Sequence, residues 1–221
     1  DKTDKVVTMI AECRDMKLSI LPPDINRCEY EFVPLGSGPR DSGDGGDRAA
    51  TGSAAVGSVN TAVGTASEAA LAILYGLGAI KGLGQAAIDS LLSARREAGP
   101  FRDLFDFCRR LDARKVNRRA LESLIRAGAL DSLGPHRAVL MASLGVALAA
   151  AERHSRDRQA GQSDLFGAAA QTPESPDLVP VPEWSEDQRL EGEKETLGLY
   201  LTGHPIARYA EELAHITDYT L

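Results

Sequence analysis

The chain has 221 residues, a net charge of −7 and few aromatic residues, with five Phe, five Tyr and one Trp. This length allows one or two domains, and the many Ala and Gly residues favour close-packed helices over an aromatic-rich β-sandwich. There is no run of eighteen apolar residues to span a membrane, and three scattered cysteines argue against a disulfide framework or a zinc site. Because the sequence starts at Asp1 without Met or a signal core, we expect a piece of a longer cytoplasmic protein.

The first third of the sequence predicts one helix and a small β-hairpin. Residues 5–17 place apolar side chains at helical spacing, and Pro22-Pro23 then ends regular structure. Tyr30–Val33 alternates like a strand, and Leu71–Tyr75 is its expected partner. Between them, Gly, Ser or Ala occupies 21 of the 35 positions from 36 to 70, a composition typical of a disordered excursion.

From residue 78 to 153 the sequence predicts a dense series of helices, and then a polar, Pro-rich linker. We expect Asn117 to be the N-cap of one helix and Pro135 to occupy the first position of the last one. Ordered segments are expected to return after the linker. The predicted elements are Gln85–Arg96, Phe101–Leu111, a helix after Asn117, a longer helix after Gly134, Glu193–Leu201 and Ala207–Ile216.

The segment Ile80-Lys81-Gly82-Leu83-Gly84 predicts a tight turn that enters a helix. Gly82 and Gly84 permit positive φ and leave the backbone open to close approach, while Leu83 points inward as an anchor. The first amides of the following helix have no internal partner, and together with the helix dipole they form a site for one phosphate beside Lys81. Taken alone, the pattern also fits a helix connector in which the glycines serve packing only.

A second unit of this kind is predicted where Leu121–Arg126 runs into the turn Ala127–Asp131. A basic run precedes it, and residues 76–137 hold twelve Lys or Arg against seven Asp or Glu, a local charge of +5 that leaves −12 for the remainder. Since phosphate attraction acts within about 10 Å at physiological salt, the regional charge matters more than the total. Two units beside a basic run predict a tandem helix-hairpin-helix domain that binds duplex DNA through backbone phosphates.

The predicted fold class is therefore mainly α, with a tandem helix-hairpin-helix domain, a small β-hairpin and disordered linkers. Binding is expected to be indifferent to base sequence. The residues predicted to contact DNA are Lys81, Gly82, Leu83, Gly84, Gln85, Arg114, Lys115, Arg118, Arg119, Gly128 and Ala129.

Six segments, spread through nearly the whole chain, resemble the bacterial DNA polymerase III α-subunit family, the C-family replicases. These segments are Ile20–Asn26, Tyr75–Gly84, Phe101–Cys108, Lys115–Arg119, Gly128–Asp131 and Gly192–Pro205. The resemblance implies five regions: the end of the fingers with the β-hairpin at 1–77, the tandem helix-hairpin-helix domain at 78–158, a clamp-binding peptide at 159–168, a linker at 169–188 and the lead-in to an OB domain at 189–221. Residues 36–70 exceed the turn expected there and are interpreted as an insertion within the first region.

Gln162-Ser163-Asp164-Leu165-Phe166 resembles the motif by which this family binds the sliding clamp. Leu165 and Phe166 would enter an apolar pocket of the clamp, while the Gln162 side chain would form a hydrogen bond at the edge of that pocket. Asp164 lies between Gln162 and Leu165 in the motif. The alternative is that Leu165 and Phe166 pack back onto their own domain.

The resemblance also implies that the complete polymerase transfers nucleotides with palm aspartates that hold two Mg²⁺ ions. This sequence has no Asp-x-Asp pair, so we expect no catalytic or metal-binding residue and no DNA synthesis by this chain alone. The implied partners are duplex DNA, the sliding clamp and other replisome subunits, in the bacterial cytoplasm and without a membrane. Three alternatives stay open: an error-prone paralogue, a stand-alone helix-hairpin-helix adaptor or repair protein, and a helical interaction domain without a DNA role.

Overall fold

The secondary structure of the chain is mainly helical, as the sequence predicts. A computed structural model describes residues 2–35, 72–159 and 177–209, and these ranges contain six α-helices and one three-stranded sheet. The α-helices are α1 Lys2–Asp15, α2 Gln85–Ala98, α3 Leu104–Arg110, α4 Arg118–Arg126, α5 Arg137–Gln159 and α6 Glu186–Leu197. The strands are β1 Ser19–Leu21, β2 Val33–Leu35 and β3 Ala72–Leu74, and 3-10 helices cover Leu77–Ala79, Asp131–Leu133 and Pro205–Tyr209.

The central strand of the sheet is β3, which lies between β1 and β2. Ile73 pairs with Pro34 of the antiparallel β2 and with Ile20 of the parallel β1. The predicted antiparallel pairing is confirmed, although β2 begins only at Val33, where the predicted strand was to end. Pro34 is tolerated because β2 is an edge strand. Strand β1 was not predicted, since a parallel pairing between segments distant in sequence leaves no local pattern.

Local signals end α2 as predicted but place the start of α3 later than predicted. The helix α2 stops at Gly99, whose φ of +76° an L side chain rarely adopts. The helix α3 begins at Leu104 and not at the predicted Phe101, because Asp103 caps it by accepting a hydrogen bond from the Asp106 amide at 2.8 Å. The expectation that Pro135 is the first residue of α5 is wrong, because α5 begins at Arg137. Gly134 N still donates to Asp131 O at 3.3 Å, so the chain completes the preceding 3-10 turn before it enters α5.

A single apolar core joins the sheet to the helices. Phe101 and Phe107 meet edge to face with their ring centroids 4.9 Å apart, and Phe32 meets Tyr75 at 4.8 Å. The largest fully buried side chains come from the sheet region and from α2 to α5. They are Tyr75, Phe107, Ile25, Leu77, Ile88, Leu91, Leu104, Leu121, Leu124, Ile125, Leu130 and Leu140.

The segment after Pro22-Pro23 is fastened to the helical part of the chain. Ile25 N donates to Ala129 O at 2.9 Å. The Asn26 side chain forms two hydrogen bonds with the main chain of Phe101, at 2.8 and 3.0 Å, as a neighbouring strand would. The stretch that the resemblance assigns to the end of the fingers therefore packs directly against the helices that follow.

The helix α6 begins at Glu186, inside the range assigned to the linker. Ser185 and Gln188 form a reciprocal capping box at its start. Leu178 and Trp184 pack against the core, and Val179 N donates to Ser143 Oγ at 2.8 Å. The predicted insertion at 36–70 and most of the predicted element at 207–216 lie outside the described residues. None of the helices in the described ranges is long and apolar enough to cross a membrane.

Candidate nucleic-acid interface

The first turn, at residues 80–84, leads into the N-terminus of α2 and is largely exposed. Lys81, Gly82, Gly84 and Gln85 are exposed, whereas the Leu83 side chain is buried and anchors the turn. Gly82 has a φ of +82°, but Gly84 has a φ of −78° and a ψ of 155°, and an added Cβ at Gly84 would meet nothing within 4 Å. Gly84 is the N-cap of α2 and offers no side chain to the first amides of the helix, of which the Ala87 amide donates to Gly84 O at 3.0 Å.

A second turn of the same kind precedes α4, at residues 111–117. Val116 is buried, Asn117 is the N-cap, and the cap backbone has a φ of −83° and a ψ of 162°, close to the values at Gly84. In each unit a buried apolar residue is followed by a cap residue and then by a helix. Leu83-Gly84 before α2 corresponds to Val116-Asn117 before α4.

The two units contact each other reciprocally. Gly82 of the first turn lies against α4, where an added Cβ would be 2.8 Å from Ser123 Oγ. Asp112 of the second turn donates its amide to Ser90 Oγ on α2 at 3.3 Å. Each serine lies six residues beyond the N-cap of its own helix, which is about 9 Å along the helix axis. Each turn therefore contacts the helix of the other unit near the N-terminus of that helix. The arrangement has the form of a pseudo-twofold pair.

Exposed cations lie around the N-termini of α2 and α4. Arg114, Lys115, Arg118 and Arg119 are all exposed on the second turn and the first turn of α4, and Lys81 is exposed on the other unit. Arg118 pairs with Glu122 at 2.8 Å and Lys115 with Asp112 at 3.9 Å, both in solvent-exposed geometry. Within the described part of the chain, Lys81, Arg114 and Arg119 form no ion pair. These cations leave a net positive surface that suits phosphate.

Two of the predicted contacts, Gly128 and Ala129, are placed elsewhere. Both are buried, and Gly128, with a φ of +79°, ends α4. Ala129 N donates to Leu124 O at 2.9 Å and Gly128 N to Ile125 O at 3.0 Å, which is a Schellman end. The interpretation of this segment as the second hairpin is therefore corrected, because its amides are used within the fold and the second turn is at 111–117.

A glycine at position 128 is required both by its positive φ and by the side chain of Arg137. An added Cβ at Gly128 would lie 2.2 Å from Arg137 Nη2. The Arg137 side chain is 5% exposed, and its guanidinium pairs with Asp131 at 2.8 Å and with Glu193 at 3.1 Å. Burial by itself lowers the pKa of Arg137, but the hydrogen bonds and charges of the two carboxylates outweigh it and raise this pKa above its ordinary value. The guanidinium is therefore a charged structural link.

The remaining predicted residues fall into two groups. Gln162, Asp164, Leu165 and Phe166 lie outside the described residues. Within residues 2–35, 72–159 and 177–209, no group of three or more His, Cys, Asp or Glu side chains is arranged to hold a metal ion.

Ser90, Ser123 and the role of Val116-Asn117 were missed by the sequence reasoning. The signal that could have found the second turn is the repeat of a buried apolar residue and a cap residue just before an amphipathic helix. The second turn lacks the glycine pair of the first, so a search for glycines alone leads to Gly128 instead.

The comparisons with known proteins agree with this geometry. Residues 17–140, just over half of the chain, match the helix-hairpin-helix motif family. The chain is 45% identical over 220 residues to DNA polymerase III subunit alpha of Vibrio cholerae, covering 99% of this chain and 16% of the relative. For the subunit of Escherichia coli K12 the identity is 44% over 215 residues, covering 96% and 16%. For that of Pseudomonas aeruginosa it is 42% over 229 residues, covering 96% and 17%.

The chain thus spans about a sixth of the length of the curated relatives that it matches. Its two capped turns, their reciprocal contacts and the family match all describe the same structural unit. The chain belongs to the helix-hairpin-helix motif family, and over nearly its whole length it is similar to one segment of DNA polymerase III subunit alpha.

Proposed function

We propose that this chain is the part of a DNA polymerase III alpha subunit that holds duplex DNA, and that it does so without taking part in nucleotidyl transfer. The observation that supports this most is the reciprocal pair of turns at 80–84 and 111–117. Each turn presents the start of a helix beside exposed cations. A duplex offers two phosphate backbones, and two related anion sites fit one backbone each.

The contacts in this proposal are made to phosphate oxygens. Helix amides and the positive end of the dipole receive one oxygen at each turn, and Lys81, Arg114 and Arg119 add charge nearby. Phosphates are the same at every base pair, so binding is independent of sequence. That property suits a polymerase, which moves along its template.

The proposal extends to a tether and to the complete enzyme. The motif Gln162–Phe166 begins three residues after the last residue of α5 and binds the sliding clamp, which keeps the enzyme on its template. DNA synthesis with Mg²⁺ belongs to the parts of the relatives that this chain does not span. The similarity to three alpha subunits over nearly the whole chain supports a polymerase segment over a stand-alone adaptor.

The test of the DNA-binding proposal is the salt dependence of duplex affinity. With three to five phosphates neutralised by the exposed cations, we expect log K to fall against log salt with a slope of roughly −3 to −5. Lys81→Gln and Arg119→Gln should each weaken binding to every duplex sequence alike and reduce the slope by about 0.9. Fluorescence anisotropy with two unrelated duplexes at several salt concentrations measures both quantities.

Arg96→Gln is the matched control for these substitutions. Arg96 is exposed too, with 70% of its side chain accessible, but it lies at the far end of α2, about 17 Å along the helix from Gln85. Its loss should leave affinity and slope unchanged. A flat salt response of the unmodified chain, or an equal effect of Arg96→Gln and Arg119→Gln, contradicts the proposed interface.

A further inference from the structure

The helix α6 lies beyond the residues that match the helix-hairpin-helix family, yet it contacts the first turn. Lys81 N donates to Thr196 O at 2.8 Å, and Thr196 is 3% exposed. One residue later, Leu197 O accepts a hydrogen bond of 3.5 Å from the buried Tyr75 hydroxyl. The last turn of α6 therefore supports the backbone of the residue that precedes Gly82.

The same helix also contacts the second unit. Gly192 lies on the end of α4, where an added Cβ would be 3.3 Å from Arg126 O, and Glu195 pairs with the Arg126 side chain. Glu193 pairs with Arg137, the residue that covers Gly128. A single helix thus joins the end of α4 to the start of the first turn.

Glu193 is the centre of this connection. Its side chain is 1% exposed and accepts four hydrogen bonds among the described residues. The donors are Arg137 Nη1 at 3.1 Å, Leu201 N at 2.9 Å, Thr202 N at 3.1 Å and Thr202 Oγ1 at 2.7 Å. A buried carboxylate is stable only when charge and donors compensate it, so its position fixes that of α6 against α5 and of residues 201–202 against α6.

We propose that α6 is a brace of the DNA-binding pair, and that Glu193 is the positioning residue that holds the first turn at its place relative to the second. Glu193 touches no DNA. It acts through α6, whose Thr196 carbonyl fixes Lys81. Since Glu193 also binds Leu201 and Thr202, a displacement of the chain after residue 202 would be transmitted to the first turn. This inference rests on the proposed function for its effect on DNA, but its effect on Lys81 is independent of DNA.

The first arm of the test measures hydrogen exchange of single amides by NMR in the 221-residue chain without DNA. In Glu193→Gln, the amide nitrogen of Gln would face donors on one side, so α6 loosens. We expect the Lys81 amide to exchange roughly tenfold faster, whereas the Ile25 amide, bonded to Ala129 O, keeps its rate. Glu191→Gln is the control: it removes the same charge from the same helix at an exposed position that forms no ion pair among the described residues, and should leave Lys81 unchanged.

Thr202→Val is the milder variant, for the case that Glu193→Gln does not fold. It keeps the shape of the side chain and removes one donor to Glu193, and should speed Lys81 exchange in the same direction by a smaller factor. A merely structural role would speed the Lys81 and Ile25 amides by the same factor, because both would then open through global unfolding. That result, or an unchanged Lys81 rate in both variants, overturns the inference.

The second arm measures duplex binding against salt. Glu193→Gln should reduce the slope by about 0.9, the value for one phosphate contact, and Lys81→Gln should cause no further loss in that background. If Lys81 exchange quickens while affinity and slope stay at their original values, the brace stands and the first turn is removed from the proposed DNA interface. If the Lys81 and Glu193 substitutions weaken binding additively, Glu193 does not position this turn and the inference fails.

Discussion

At the scale of single residues, the two glycines of the first turn are required for different reasons. Gly82 adopts a φ of +82° and has Ser123 Oγ within 2.8 Å of where a Cβ would be, so the fold itself requires glycine there. Gly84 has an ordinary negative φ and open space around it. Nothing within the described chain explains its lack of a side chain, whereas a phosphate seated on the first amides of α2 would explain it.

A serine placed at each position separates these two reasons. Gly82→Ser should lower the free energy of unfolding by about 1–2 kcal/mol, because a left-handed conformation is costly for a residue with Cβ. Gly84→Ser should stay within a few tenths of a kcal/mol, since serine is a good N-cap, yet it should weaken duplex binding. Urea unfolding and anisotropy titrations measure the two effects. Equal stability losses in the two variants would contradict this assignment.

Residue types at 82–84 and 114–119 were sufficient to predict two groups of residues that the structure leaves exposed apart from Leu83 and Val116, since a glycine pair and a basic run are local signals. Gly128 was assigned wrongly because a glycine after an amphipathic helix is compatible with a hairpin and with a Schellman end alike. Only the fold shows that Arg137 covers it, and that partner is a buried charge which the sequence presents as one more surface arginine.

At the scale of helices and strands, the ends that the sequence predicts well are those with a cap in the sequence itself. Gly99 ends α2 and Asn117 begins α4, as expected. The strand β1 and the start of α6 were missed or displaced. The first depends on a parallel pairing with β3, a long-range partner that leaves no periodic signal. The start of α6 carries a local signal, the capping box of Ser185 and Gln188, which the prediction did not use.

Substitutions of Asn117, the N-cap of α4, test whether the N-terminus of that helix binds an anion. Asn117 Oδ1 accepts the Ala120 amide at 2.8 Å, and both Asp and Ser preserve such a cap. We expect Asn117→Asp and Asn117→Ser to keep the thermal midpoint within a few degrees. Only the aspartate should weaken duplex binding, by about 1 kcal/mol or roughly fivefold, through repulsion of phosphate. Equal affinities of the two variants would show that no phosphate approaches the N-terminus of α4.

At the scale of the whole molecule, contacts among the described residues join the sheet region, the two turns and α6 into one unit. The sequence alone assigns these parts to separate regions. Asn26 fastens the segment before the sheet to Phe101, and Glu193 fastens α6 to Arg137. The two turns are thereby held between a preceding and a following segment of the chain. If the two turns bind a duplex as proposed, this fixation on both sides would keep the duplex at a constant position relative to the sheet region and to α6.

The proposed tether adds a second attachment to this unit, and it can be removed separately. If the motif at 162–166 binds the clamp, replacing Leu165 and Phe166 by alanine should abolish that binding, because these two apolar side chains supply most of the contact in such a peptide. Duplex affinity and its salt slope should stay unchanged, since the cations at both turns are intact.

On DNA loaded with the clamp, retention should fall by about a hundredfold, the gain expected when one of two linked contacts becomes intramolecular. Surface plasmon resonance with the clamp alone, with duplex alone and with clamp-loaded duplex measures the three quantities. Arg119→Gln is the reciprocal variant, which weakens duplex binding and preserves clamp binding; clamp affinity that survives the double alanine substitution would contradict the tether and leave the DNA interface standing.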